Sequence, residues 1–358
     1  MDREPVFVPN GLPTLVGSLP LKDHVSALDM MLKYVPEIPL WIQLPSYPEE
    51  GLLLQFSESL PGIAIKDQSA FFDTGSPGFD EEVLAFYEEY LAVSESAVPF
   101  SQSRFALGPK TGMGFRAFIE RIECERKPSA LKGQITGPFT FLTGINDQNK
   151  RCAFYDERLR DIVVKALALK AAWQVAQLKR FNLPVLISID EPGLAGYGSS
   201  AFISISRKDV VEMLSPVAEA IQTAGGLAGV HVCANTDWSL LTDSGINIIS
   251  FDAYNYFDRF VLYRKEILSF LARGGIIAWG MIPTANPEDI RKETAPSLAR
   301  QWEDAAGSFV EGQLSLKDLL RQSLITPSCG TGALSPELSE RVLQLTREVS
   351  NQLRKDLL

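Results

Sequence analysis

Eight short β-rich runs alternate with helical patterns along the chain, and this order restricts the fold more than any other feature. The runs are Thr14–Pro20, Pro39–Pro45, Leu131–Pro138, Pro184–Pro192, Leu227–Asn235, Ile246–Tyr254, Gly275–Pro283 and Ser323–Gly330. Amphipathic stretches lie between them, and such alternation is typical of βα units around a parallel sheet. Eight units in 358 residues predict an α/β fold, a single (β/α)8 TIM barrel.

The connection after the second run is much longer than one helix. It covers residues 57–130 and surrounds a helix near Asp80–Val93 with turns rich in glycine and proline. We interpret this segment as an insertion over the barrel mouth, because no linker or repeat sets it apart. The prediction is one TIM-barrel catalytic domain over residues 1–358, closed by a final helix over Pro336–Leu353 with Ser335 as its N-cap.

Charge and cysteine content favour a cytoplasmic protein without nucleic-acid or membrane partners. A formal net charge of −10 and the lack of a Lys/Arg block argue against binding to a phosphate backbone. No apolar run is long enough to span a bilayer, and the first residues lack the pattern of a secretory signal. Four cysteines in a chain of this length do not make a disulfide framework, so we expect free thiols.

Most reactive side chains lie at the carboxyl ends of the predicted strands, where TIM barrels carry their active sites. His231 and Cys233 are two positions apart in the fifth run, so alternation along a strand points both to one face. Asp252 ends the sixth run, and Cys329 lies at the end of the eighth. One imidazole, two thiolates and an open or carboxylate-filled fourth position describe a catalytic zinc site. The predicted metal ligands are therefore His231, Cys233 and Cys329.

Simpler interpretations of these residues stay open at this point. A buried cysteine can merely fill space, and a histidine can bond to a backbone carbonyl. Asp190-Glu191-Pro192 can cap the following loop, although its position at a strand end favours a role in the site. Zinc with an exchangeable position holds a substrate thiol as thiolate, whereas zinc hydrolases use more histidine and carboxylate ligands. The ligand set therefore favours alkylation of a thiolate.

With these motifs in this order, the chain resembles the C-terminal catalytic domain of cobalamin-independent methionine synthase. That family belongs to a superfamily shared with uroporphyrinogen decarboxylase. The matching segments cover essentially the whole chain and are Leu15–Pro20, Ile135–Leu142, Ile189–Pro192, His231–Cys233 and Thr326–Gly330. The resemblance implies that His231, Cys233 and Cys329 bind zinc. It also implies that Ser18 contacts the carboxylate of the amino-acid substrate and that Asp190, followed by Glu191, contacts its ammonium group.

Three positions depart from the family pattern. Asp252 stands where the family has a glutamate zinc ligand, and its side chain is one methylene shorter. Three roles stay open for it: weak ligation of the metal, binding through a water molecule, or support of the ligands without binding the metal. The family's second carboxylate for the amino group aligns near Ser46, which carries no charge, with Glu49 or Glu50 as substitutes. After the seventh run, Pro283-Thr284 replaces the histidine that protonates the departing folate.

These departures favour a methylcorrinoid, such as methylcobalamin, over methyltetrahydrofolate as methyl donor. A tertiary amine leaves only when it is protonated, normally by a general acid, whereas a corrinoid leaves as a stable cob(I) anion. The half of the family's proteins that helps to hold the folate is also missing, so we expect a corrinoid protein as partner. Tyr254 or Tyr256 remains an alternative acid.

The leading hypothesis is a zinc-dependent methyltransferase of methionine biosynthesis. It transfers a methyl group to a small thiol, above all to homocysteine, which gives methionine. One alternative is a metal-free enzyme like uroporphyrinogen decarboxylase, which would need basic residues for an acidic tetrapyrrole. Arg3 is the only arginine before Arg104, which counts against it. The other alternative is a non-catalytic barrel that binds zinc or a corrinoid. Fold alone does not distinguish the three.

Overall fold

The computed structural model describes residues 7–124, 128–310, 312 and 314–358. The strands are β1 (Ile63–Lys66), β2 (Ser69–Phe72), β3 (Leu131–Thr136), β4 (Val185–Asp190), β5 (Leu227–Val232), β6 (Ile248–Phe251), β7 (Ile276–Ile282) and β8 (Ser323–Pro327). Strands β3 to β8 form one parallel sheet in which each strand pairs with the next along the chain. This six-stranded sheet confirms the α/β class that the alternating pattern predicts.

The first two predicted strands do not join the sheet as continuous ladders. Their segments make single parallel bridges, from Pro13 to Ile325, from Ser18 to Gln43 and from Leu40 to Lys132. Pro20, Pro39 and Pro45 stand at the ends of these runs and, because proline has no backbone N–H, they limit how far a ladder can extend. The prediction of eight strands is therefore confirmed for six of them, and residues 12–19 and 39–45 remain extended segments beside β8 and β3.

Helices connect the strands, and local sequence determines where several of them begin. They are α1 (His24–Tyr34), α2 (Leu54–Ser57), α3 (Phe79–Ser94), α4 (Met113–Glu123), α5 (Pro138–Gly144), α6 (Glu157–Leu178), α7 (Arg207–Thr223), α8 (Trp238–Asp243), α9 (Ala253–Phe260), α10 (Arg264–Ala272), α11 (Pro287–Lys292), α12 (Ala295–Gly307), α13 (Leu316–Arg321) and α14 (Pro336–Leu357). The Asp156 side chain caps α6, and the Ser335 side chain accepts the N–H of Leu338 at the start of α14. The predicted final helix is thus confirmed, with its N-cap.

The segment 57–130 contains the hairpin of β1 and β2 and the helices α3 and α4. Its predicted helix near Asp80–Val93 corresponds to α3, while residues 125–127 lie outside the described part of the chain. Just before this segment, the carbonyl of Leu52 accepts a hydrogen bond from the Thr136 hydroxyl at the carboxyl end of β3. The chain that leads into the hairpin therefore contacts the edge of the sheet where the reactive residues lie.

The interior enclosed by the strands changes from apolar to polar along their length. At the amino ends, Leu186, Ile248 and Leu324 belong to a buried apolar cluster. Lys132 is in register with Leu186, whereas Ser188, His231 and Thr326 lie further along; all four line a cavity of about 30 Å³. Apart from Lys132, these polar groups thus lie towards the carboxyl ends. Within the described residues, no helix is long and apolar enough to cross a membrane.

Candidate active site at the carboxyl ends of the strands

Two of the predicted metal ligands lie close enough for their thiols to interact. Cys233 directly follows β5, Cys329 lies just beyond β8, and their side chains share a hydrogen bond. The other cysteines take no part in this contact: Cys124 is exposed at the end of α4, and the Cys152 thiol donates to the carbonyl of Leu142 at 3.3 Å. The structure therefore separates Cys233 and Cys329, at the carboxyl edge of the sheet, from Cys124 and Cys152.

The contact makes one of the two sulfurs far more acidic than the other. The Cys329 S–H donates to the Cys233 sulfur, and this hydrogen bond lowers the pKa of Cys233 to about 7. The same bond raises the pKa of Cys329, and burial raises it further. Above neutral pH the pair thus carries one negative charge and one proton. Such a pair contains a ready thiolate for metal binding or nucleophilic chemistry.

His231 is a neutral imidazole with one free nitrogen. Its side chain is buried, and Nδ1 lies 2.9 Å from the Ser250 hydroxyl on the neighbouring strand. Burial, assisted by the positive charge of Lys132, lowers the pKa of His231 to about 3. Among the described residues, Nε2 finds no hydrogen-bond partner. A neutral ring with an unpartnered nitrogen is the form that a metal ligand requires.

The two sulfurs and the imidazole nitrogen are therefore suitable ligand atoms for zinc, but their arrangement fits a zinc site only in part. In the portion of the chain that the structure describes, no three His, Cys, Asp or Glu side chains are grouped closely enough to hold a metal ion. The two thiols are together, and the unpartnered Nε2 of His231 lies on the strand that precedes Cys233. Binding of an ion by all three would require the imidazole and the thiols to approach each other more closely.

Asp252 caps a helix beside the thiol pair. Its Oδ1 accepts the backbone N–H of Asn255 at 2.9 Å, and its Oδ2 accepts the Asn255 side-chain amide at 2.7 Å. Burial raises the pKa of this carboxyl. Its charge acts on Cys233, where it opposes ionisation of the thiol. Asp252 is thus close enough to influence the thiol pair, while both of its oxygens stabilise the start of α9.

Asp190 ends β4 as a buried carboxyl, in register with Thr136 of β3. The Ser188 hydroxyl donates to Oδ1 at 2.7 Å. Burial raises the pKa of Asp190 to about 6, and the charge of Lys132 opposes that rise. Lys132 itself is buried on β3, and its Nζ donates to the carbonyl of Val16 at 2.6 Å. Sequence reasoning missed Lys132, although its position in a β-rich run was a usable signal.

Glu191 uses its carboxylate to anchor a helix. Its Oε1 accepts the N–H of Phe139 at 2.9 Å, and its Oε2 accepts the N–H and the hydroxyl of Thr140 at 2.7 and 2.6 Å. A Cβ at Gly137 would lie 2.1 Å from this carboxylate, so only glycine permits the approach. Both oxygens are thus occupied at the start of α5. This geometry favours the capping interpretation for Glu191 over direct contact with a substrate.

Ser18 packs against the loop that carries Cys329. Its hydroxyl accepts the N–H of Gly332 at 3.2 Å, and its carbonyl accepts the N–H of Thr331 at 3.0 Å. A Cβ at Gly330 would lie 2.3 Å from the Ser18 hydroxyl. The structure thus brings the first extended segment and the turn after β8 together, which places Ser18 near one of the two thiols.

Thr284, which departs from the family pattern, and Tyr254, the alternative acid, are both engaged in hydrogen bonds within the protein. The Thr284 hydroxyl after β7 pairs with that of Ser328 at 2.9 Å. The Tyr254 hydroxyl donates to Glu293 at 2.9 Å, and burial together with this bond raises the pKa of the phenol. Tyr254 is therefore a weaker acid than a free tyrosine.

The proposed substitutes for the second amino-group carboxylate differ in availability. Glu50 is buried, where it accepts the N–H of Leu44 at 2.7 Å and bonds to His24 at 2.7 Å. The exposed Ser46 donates to the carbonyl of Leu21. Glu49 is half-buried and lies 4.0 Å from Lys110, so its carboxylate is the freer of the two.

Comparisons with known proteins support the fold. No protein-family model matches the chain, and no curated protein matches its sequence. A solved structure from Listeria monocytogenes, provisionally assigned as a vitamin-B12-independent methionine synthase, is 14% identical with a TM-score of 0.54 and covers 97% of this chain and 98% of its own. A GH20 module of a pneumococcal exo-β-D-N-acetylglucosaminidase is 9% identical with a TM-score of 0.46, over 96% and 85% of the chains. At these identities the likeness concerns the fold alone.

Proposed function

We propose that this protein is a methyltransferase that transfers a methyl group to the sulfur of a small thiol, with homocysteine as the preferred acceptor and methionine as the product. The thiol pair of Cys233 and Cys329 carries the proposal, because it lies at the sheet edge beside a neutral imidazole with a free nitrogen. In the same proposal, residues 12–19 and 39–45 take the first two strand positions of a closed, single-domain barrel.

His231, Cys233 and Cys329 would hold zinc in this proposal. The chemistry that zinc supplies when bound is the stabilisation of a substrate thiol as its thiolate at neutral pH. The residues contribute their protonation states: the thiol pair already holds a single proton above neutral pH, and the imidazole stays neutral. Asp252 would hold the helix beside the thiols in place, and its negative charge would oppose ionisation of Cys233.

Asp190 and Ser18 would recognise the amino-acid part of the acceptor. A buried carboxylate attracts an ammonium group strongly, because little water screens the charges. Among the described residues, only Ser188 donates a hydrogen bond to the Asp190 carboxylate, which therefore has capacity to accept another. Ser18 offers a hydroxyl beside the Cys329 turn for the acceptor's carboxylate. In this proposal Glu191 supports the site through α5 instead of contacting the substrate.

A methylcorrinoid, presented by a partner protein, is the donor that these residues support. In the transfer, a sulfur–carbon bond forms, the cobalt–carbon bond breaks, and its electron pair remains on cobalt. The acceptor's thiol proton is released to solvent. A methyltetrahydrofolate donor would need an acid for the leaving nitrogen, yet Thr284 bonds to Ser328, and Tyr254 is held by Glu293 with a raised pKa.

Turnover with defined substrates tests the proposal. The metal-loaded protein is incubated with methylcobalamin and with homocysteine, coenzyme M or 2-mercaptoethanol, and methylated products are measured. We expect methionine to form fastest, and the Cys233→Ala/Cys329→Ala variant to be inactive. Absence of methyl transfer to every thiol, from either methylcobalamin or methyltetrahydrofolate, would rule out the methyltransferase and favour a non-catalytic barrel.

A further inference from the structure

Gln43 is hydrogen-bonded along its backbone to the segment that carries Ser18. Its N–H donates to the carbonyl of Gly17 at 3.0 Å, and its carbonyl accepts the N–H of Leu19 at 3.1 Å. These two bonds flank Ser18, which pairs with Gln43 in a parallel bridge. The position of Ser18 is therefore tied to that of Gln43.

The side chain of Gln43 packs against the same segment. A Cβ at Gly17 would lie 3.1 Å from Oε1 of Gln43 and 3.3 Å from Cδ of Gln134, so both carboxamides approach the backbone where the chain has no side chain. Gln134 is itself held in place, because its Nε2 donates to the carbonyl of Trp41 at 3.0 Å. The residue before Ser18 thus lies between two buried amides.

A second glutamine connects Gln43 to the segment 57–130. Nε2 of Gln43 donates to Oε1 of Gln55, in α2, at 2.5 Å, and Nε2 of Gln55 donates to the carbonyl of Thr111 at 2.8 Å. The Thr111 hydroxyl in turn donates to Glu58 at 2.7 Å. One line of hydrogen bonds therefore runs from the neighbour of Ser18 into the segment 57–130.

A carboxamide suits the middle of this line because it both donates and accepts. The backbone carbonyl of Thr111 can only accept, so it requires the amide nitrogen of Gln55, and this leaves Oε1 of Gln55 to accept from Gln43. The side chain of Gln55 is completely buried, so bulk water does not reach these bonds. A buried donor or acceptor that loses its partner is costly, which favours this single geometry of the link.

We propose that Gln43 and Gln55 are positioning residues for amino-acid thiols: their carboxamides couple Ser18 to the segment 57–130 and so set its hydroxyl for the acceptor's carboxylate. The inference rests on the proposed function, because it concerns how Ser18 recognises the acceptor. Gln43 and Gln55 act through the backbone of residues 17–19 and do not contact the acceptor.

Two acceptors that differ only in the carboxylate test the proposal on the metal-loaded full chain. Homocysteine has this group, and 3-aminopropane-1-thiol is the same molecule without it. For Gln43→Met and for Gln55→Met we expect the Kd and KM for homocysteine to rise by about tenfold or more, because Ser18 no longer bonds well to a charged group. The kcat, and both constants for the aminothiol, should change within about threefold. Since the two residues form one link, the double variant should add little to either single change.

Gln322 offers a matched control at the opposite edge of the sheet. It directly precedes β8, and its Nε2 donates to the carbonyls of Leu271 and Gly275 at 2.9 Å each. Gln322→Met therefore removes a carboxamide that bonds to the backbone far from the carboxyl ends of the strands. This variant should leave the ratio of the two KM values unchanged.

A milder variant separates the position of Ser18 from a general loss of structure. Gln55→Asn keeps a carboxamide but is one methylene shorter, so it cannot bond to both Gln43 and Thr111. If the methionine variants do not fold, this one should still raise the KM for homocysteine selectively. Equal loss for both acceptors, or an unchanged preference for homocysteine, would overturn the role of the link. A wild-type protein that methylates both thiols without preferring homocysteine overturns this inference alone, whereas one that methylates neither overturns the proposed function as well.

Discussion

The thiols of Cys233 and Cys329 share a hydrogen bond, although the strands that they follow, β5 and β8, are not neighbours. Neighbouring strands lie about 4.8 Å apart, so three steps across a flat sheet would separate the two by roughly 14 Å. Their contact therefore depends on the curling of the sheet.

The thiol pair is expected to hold one zinc ion per chain together with His231. Cys233→Ala and Cys329→Ala should each lose zinc or bind it much more weakly, because each removes a thiolate ligand. Metal content after loading and gel filtration measures this, with Cys124→Ala as the control. Full zinc occupancy in the Cys233→Ala/Cys329→Ala double variant would refute the metal site.

Asp252→Ala is expected to affect the metal less than loss of either thiol. Groups beside a metal site typically change affinity or activity by about 10–100-fold. The variant should also lose about 0.5–2 kcal/mol of stability, since Asp252 caps α9. Asp252→Asn keeps a capping side chain and serves as the control. Zinc titration and thermal unfolding separate the two effects, and complete loss of zinc would make Asp252 a ligand.

His231 is expected to make the metal-free protein less stable in acid. The unfolded imidazole binds a proton below about pH 6.5, whereas burial holds the folded pKa at about 3. Between these two pKa values the unfolded state binds more protons than the folded state. The free energy of unfolding therefore falls by up to about 1.4 kcal/mol for each unit by which the pH is lowered. Urea unfolding from pH 7 to pH 4 should show this loss relative to His231→Asn. His24→Asn is the control, and parallel curves for wild type and His231→Asn would contradict the prediction.

Asp190→Asn is expected to weaken amino-acid acceptors selectively. The change removes the charge that attracts the ammonium group while it keeps the size of the side chain. The preference for homocysteine over 2-mercaptoethanol should fall by roughly tenfold or more in kcat/KM. An equal loss for both acceptors would show that Asp190 supports the architecture of the site only.

Methylcobalamin is expected to be a better donor than methyltetrahydrofolate. General acid catalysis typically accelerates departure of such an amine by about 100- to 10,000-fold, and Pro283-Thr284 supplies no acid. Initial rates with both donors measure the difference, and a methylated corrinoid protein should increase the rate further. Tyr254→Phe and Tyr256→Phe are the controls. Turnover with methyltetrahydrofolate equal to that with methylcobalamin would reject the donor assignment. The tyrosine whose replacement by phenylalanine abolishes that turnover would then be the general acid.

Much of the fold could be predicted from the sequence because its signals are local. Apolar β-rich runs between helical patterns predict β3 to β8, and a serine before a helical pattern predicts the start of α14. The spacing of His231 and Cys233 places them on one face through the geometry of a single strand. The same reasoning predicted continuous strands for the first two runs, which make only single bridges to their neighbours.

Tertiary structure decided which of these residues meet. Whether Cys233 contacts Cys329 depends on how strongly the sheet curls, and no spacing along the chain specifies that. Glu191 follows Asp190 directly, yet the Asp190 carboxyl accepts a hydrogen bond from Ser188 while the Glu191 carboxyl lies at the start of α5. Burial then determines their protonation, because the cost of removing a charge from water depends on every group packed around it. Local sequence specifies the elements, whereas the energies of the site come from contacts between distant parts of the chain.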